Sequence, residues 1–132
     1  MKIIALVLVL SLSLFGNNYK KFARDTGYSV DYDKALELAQ KEKKDIMFVM
    51  VANFCPWCIK LEKKVLKKKD INAKVHNKYI PLILNREEGK YPDSFETPMI
   101  PTVYFIDHET KKIKTKVVGY NNKQDLINII NE

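Results

Sequence analysis

The stretch "VANFCPWCIKL", Val51–Leu61, holds both cysteines of the chain, three residues apart, at the end of an apolar run, "DIMFVMVAN". A run of that length, rich in branched and aromatic side chains, makes a strand buried on both faces. Pro56 suits the first position of a helix, where its missing N–H costs nothing and its fixed φ helps nucleation. A buried strand that runs straight into a helix makes Cys55 the N-cap residue. Its sulfur then faces unpaired backbone N–H groups and the positive end of the helix dipole. Both favour thiolate over thiol, so its pKa should fall below the free value of about 8.5. Cys58 lies one turn further on, facing inward.

Three chemistries use this spacing: a redox couple, half of a metal site and a structural staple. For zinc, the chain offers only His76 and His108 as nitrogen ligands. Neither stands at ligand spacing from the cysteines or from the other, and both suit surface positions. Covalent haem attachment needs a histidine after the second cysteine, and that residue is Ile59. A staple closing so small a loop constrains the unfolded chain little. A redox pair fits best. The outer thiolate attacks a substrate disulfide, and the inner thiol then resolves the mixed disulfide. No metal and no cofactor are expected.

The rest of the chain supplies a frame for this site. "DYDKALELAQKEKK" is a helix, with Asp31 as cap, Asp33 in the first turn, and Ala35, Leu38, Ala39 and Glu42 at helical spacing. From Pro56 to about Lys69 a helix puts Cys58, Leu61 and Val65 on one face and lysines on the other. Asp70 can cap a short helix, "INAKVHNK". "YIPLIL" is a second strand, with Pro81 near its start or at a sheet edge. Residues 85–99 form a loop with room for one helical turn. "TVYFID" is a third strand, "HETKK" a turn, and "IKTKVVG" a half-exposed fourth strand. Asn122 starts a last helix, with Asp125 in a weak capping box and Leu126, Ile127, Ile129 and Ile130 on its buried side. A long helical crossover makes the first two strands parallel, and a short turn makes the last two an antiparallel hairpin. The fold class is therefore α/β: a small mixed sheet with helices on both faces.

The 132 residues suffice for one domain with a modest core. A formal charge of +7 raises nucleic acid as a partner. The lysines are interleaved with acids, as in "KLEKKVLKKKD", and no RNA-binding signature or Gly-rich basic arm is present. A solvated basic surface is the better reading, and no nucleic-acid partner is expected. At the N-terminus one lysine precedes an uncharged apolar run, Ile3 to Phe15. It is short for a bilayer span and fits a secretory signal, with Gly16 as the cleavage position or the run kept as an uncleaved anchor. The domains are then residues 1–16, a signal peptide; 17–30, a leader without clear period; and 31–132, the folded domain. The location is periplasmic or secreted, where disulfides persist.

"FVMVANFCPWCIKLEKKV", "MIPTVYFID" and "KVVGYNNKQDLINII" together resemble thioredoxin, and most of all the exported thioredoxin-like proteins of bacteria, over roughly residues 31–132. The resemblance implies the thioredoxin fold and a cis bond between Ile100 and Pro101. It implies that the Ile100 backbone bonds an extended substrate strand and that Pro101 keeps metal from the sulfurs. Two departures stand out. The family's buried acid in the strand before the cysteines falls at Val49, and its usual lysine in the next strand is absent from Pro81 to Leu84. Pro-Trp also replaces Gly-Pro between the cysteines. Proline after the first cysteine occurs in glutaredoxins and disulfide-forming oxidases, with potentials of roughly −230 to −120 mV, so a couple less reducing than thioredoxin is implied. Trp57 is either an exposed apolar contact for substrate or packed on its helix, and Phe54 should pack beneath the site.

The function these residues imply is an exported thiol–disulfide oxidoreductase that reduces or isomerises protein disulfides. Such a protein is a monomer that draws electrons from a membrane partner. The alternative is a non-enzymatic chaperone for Cu(I) or thiol proteins using the same pair, since Cu(I) favours soft thiolates.

Overall fold

The computed structural model describes residues 18–132. The expected signal segment, residues 1–16, lies outside them. The elements run in the order α1 (Tyr19–Thr26), α2 (Tyr32–Glu42), β1 (Asp45–Val51), α3 (Pro56–Leu61), α4 (Lys69–Lys78), β2 (Tyr79–Asn85), β3 (Thr102–Ile106), β4 (Ile113–Val118) and α5 (Lys123–Asn131). A π-helical turn, Glu62–Leu66, extends α3, and a 3₁₀ turn spans Asp93–Phe95.

The four strands form one mixed sheet in the order β2-β1-β3-β4. β1 is parallel to β2 and antiparallel to β3, and β3 is antiparallel to β4. Both faces of β1 are covered, which explains its unbroken apolar sequence. Ile46, Phe48 and Met50 point to one layer, with Ala35 and Ala39 of α2, Phe95 and Tyr104. Phe48 lies at its centre, 5.3 Å from the Phe95 ring and 5.6 Å from that of Tyr104. Burying a side chain of this size contributes about 1.5–3 kcal/mol. Met47, Val49 and Val51 point to the other layer, with Cys58, Leu61, Val65, Ile71, Val75, Leu126 and Ile130.

Several expectations change. Residues 17–30 are no mere leader, because α1 buries Tyr19, Phe22, Ala23 and Thr26 in the second layer. Ser29 continues it as a bridge to Leu82, and its backbone exchanges bonds with Pro81 and Ile83 along the outer edge of β2. Leu38 is exposed, since only Ala35 and Ala39 of α2 reach the sheet closely. The α-helix from Pro56 stops at Leu61. A π turn follows, with Lys67 N donating to Glu62 O, and it turns Glu62 and Leu66 inward beside Leu61 and Val65. α4 then starts at Lys69, so Lys68 is its N-cap and Asp70 lies inside the first turn. There Asp70 pairs with Lys123, whose hydrogen bond holds its carboxyl below the usual carboxylate range. β4 is exposed along nearly its whole length, and among the described residues nothing pairs with its outer edge.

Neither histidine is a free surface residue. His76 Nε2 lies 2.7 Å from the Thr26 carbonyl oxygen, tying α4 to the end of α1. His108 Nδ1 lies 2.7 Å from Asp45 Oδ1 at the end of the sheet remote from the cysteines. Among the described residues no helix is long and apolar enough to cross a membrane.

Candidate active site

Cys55 stands between the C-terminal end of β1 and the first turn of α3, with Pro56 at the helix start. Cys55 and Cys58 are joined as a disulfide, with Cα atoms 5.3 Å apart. Cys55 Sγ accepts the Cys58 backbone N–H at 3.1 Å, which satisfies one of the open donors at a helix start. Cys55 is half-buried and Cys58 is fully buried. The pair therefore has one accessible and one shielded sulfur.

A polar network sets the loop ahead of Cys55. Asn85, fully buried at the end of β2, donates its side-chain amide to Asn53 Oδ1 at 2.9 Å. Its own Oδ1 accepts Glu87 N–H, and Glu87 Oε2 accepts Asn53 N–H at 3.1 Å. Phe54 follows in the left-handed backbone region, φ 53°. That conformation turns its side chain outward, so Phe54 is 77% exposed and does not pack beneath the pair. The Asn53–Asn85–Glu87 set has no signature in sequence, because its members stand 32 and 34 residues apart.

Opposite the disulfide lies the loop before β3. The Ile100–Pro101 peptide is cis, and Ile100 O lies 4.0 Å from Cys55 Sγ. Thr97 and Thr102 hold this loop, both donating a hydroxyl to Met99 O. Gly119 N–H donates to Pro101 O at 2.7 Å, which ties the end of β4 to the same loop. Trp57 is 56% exposed and also packs on Tyr120, with ring centroids 5.6 Å apart. The ring it packs on thus belongs to a residue beyond β4 and not to its own helix. Pro56 is exposed and Pro101 buried.

Glu62, buried at 6% exposure, follows Cys58 by four positions on the same inward face. β1 has Val49 where the family's acid stands, and the spacing 58–61–62–65 puts Glu62 on the inward face instead.

A model of the thioredoxin-like domain matches residues 32–132. The chain belongs to the thioredoxin-like family. With its Cys55–Cys58 pair it is a thiol–disulfide oxidoreductase of that family. Solved structures agree on the fold. A thioredoxin from Thermus thermophilus has a TM-score of 0.68 at 16% identity, covering 79% of this chain and 84% of its own. A poplar thioredoxin h gives 0.63 at 21% identity, covering 76% and 85%. The oxidised C-terminal domain of Neisseria meningitidis DsbD gives 0.63 at 14% identity, covering 79% and 97%. No curated protein sequence matches the chain.

Proposed function

We propose that this protein is exported and reduces or isomerises protein disulfides, with Cys55 as the attacking thiol and Cys58 as the resolving one. One observation carries the assignment of roles: the accessible sulfur is the one at the helix mouth, and the buried sulfur lies directly behind it. In the reduced protein the Cys55 thiolate attacks a substrate sulfur, and the other substrate sulfur leaves as a thiolate that takes up a proton. The Cys58 thiolate then attacks Cys55 Sγ in the mixed disulfide and expels the second substrate thiolate. Two electrons pass from the dithiol to the substrate, and the protein is left with the disulfide described above. Ile100 offers backbone groups beside Cys55 to an extended substrate strand, and Trp57 offers an exposed ring.

The apolar N-terminal run supports export, to the periplasm or beyond the cell. Renewed reduction there calls for electrons from a membrane partner. Cys55→Ser should abolish reduction of insulin disulfides, while Cys58→Ser should accumulate a mixed disulfide with substrate. Full insulin reduction by Cys55→Ser would refute the proposal.

A further inference from the structure

Trp57 and Tyr120 come from distant parts of the chain and meet beside the disulfide. Trp57 stands between the two cysteines. Tyr120 follows Gly119, whose φ of 87° turns the chain where its N–H holds Pro101 O. Lys60, one turn after Trp57, lays its ammonium over both rings, 5.0 Å from the Trp57 centroid and 4.7 Å from that of Tyr120. Such cation–ring contacts fix a long side chain that would otherwise sample many rotamers. Among the described residues no carboxylate pairs with Lys60, as with most of the lysines; what sets it apart is that both rings hold it. On the other side of the site the acid is already paired, with Arg86 Nη2 3.8 Å from Glu87 Oε1. Glu87, on the β2 side of β1, takes the Asn53 N–H, while Tyr120 follows β4 at the far edge of the sheet. The disulfide thus has an exposed, pre-positioned ammonium on one flank and a carboxylate already paired with Arg86 on the other.

We propose that Lys60 is a specificity residue, selecting disulfides in which the target cysteine has an acidic neighbour. The inference rests on the thiol–disulfide reading above. A substrate strand against Ile100 brings the residues beside its cysteine toward the Trp57–Tyr120 rim. A carboxylate there gains a charge-assisted hydrogen bond from an ammonium whose freedom the rings have already reduced.

The test uses the full-length, prereduced protein and three capped peptide disulfides, with glutamate, serine or lysine on both sides of the cysteine. Trp57 is the sole tryptophan, so its emission follows oxidation of the adjacent pair. Second-order rate constants are compared within each protein. At low salt the wild type should react about three- to tenfold faster with the glutamate peptide than with the lysine peptide, and 0.5 M salt should shrink that ratio. Lys60→Met should bring it to within about twofold, and Lys60→Glu should reverse it. Equal rates in the wild type would overturn the proposal. So would a preference that survives in Lys60→Glu, which would trace it to the overall positive charge. Failure of the serine peptide to oxidise the wild type would instead strike the thiol–disulfide reading, and this inference would fall with it.

Discussion

At the scale of single residues, the two sulfurs differ in access and therefore in chemistry. Cys55 takes the Cys58 N–H at the helix mouth, and Cys58 is sealed under the first turn. In the reduced protein, iodoacetamide should modify Cys55 first, with a pH midpoint below about 8.5. Cys58 should resist until the chain unfolds. This asymmetry was legible in the sequence, because a strand, a proline and two cysteines at fixed spacing determine it locally. The outward turn of Phe54 was not, since it depends on the Asn53–Asn85–Glu87 network assembled from distant segments. Glu62 belongs between these cases. Its burial needs the π turn, but its spacing from Cys58 was visible. We infer from its burial four positions after Cys58 that its carboxylate exchanges a proton with the inner thiol. Glu62→Gln should lengthen the life of the mixed disulfide by about tenfold or more, read by acid-quench trapping.

At the scale of elements, helix caps carried much of the legible information. Asp31 accepts Lys34 N–H at 3.0 Å, and Asn122 accepts Asp125 N–H at 2.9 Å, each where the sequence indicated. Asp31→Ala should cost about 1 kcal/mol, measured as a fall in Tm of a few degrees. α1 was missed for a physical reason. Its pattern, 19–22–23–26, covers only two turns, and so short a helix is marginal on its own. Its stability comes from Tyr19 and Phe22 in the core and from the His76 contact at its end, neither of which is local. The sequence places the break between α3 and α4 a few residues late, at Asp70, because "EKKVLKKKD" consists mostly of good helix formers.

At the scale of the whole molecule, the sequence supported a parallel β1–β2 pair and a β3–β4 hairpin, but not the place of β3 beside β1. That antiparallel insertion depends on how the two layers fill, and no local pattern encodes it. The end of the sheet remote from the cysteines is closed by Asp45. It accepts from the His108 backbone N–H and from Lys114 Nζ at 2.9 Å, and lies 2.7 Å from the His108 ring. Burial pushes its carboxyl up, but the bonds from His108 and Lys114 outweigh this and hold it below the usual carboxylate range. With the folded pKa below the unfolded one, Asp45 stabilises the fold fully above about pH 4. That contribution is lost as pH falls through the folded value. Asp45→Asn should be less stable at neutral pH and lose less on acidification, by urea titrations from pH 7 to pH 2.

The two borders of the sheet are unequal. Ser29 closes the one along β2, while among the described residues nothing covers the row of amide and carbonyl groups along β4. Such a row is a template on which a second chain can extend the sheet, and a charge projecting from it is a common guard against fibril growth. Lys116, opposite Tyr104, occupies that post. Lys116→Val should therefore make the protein polymerise on concentration, seen by light scattering, under conditions in which the parent stays dispersed.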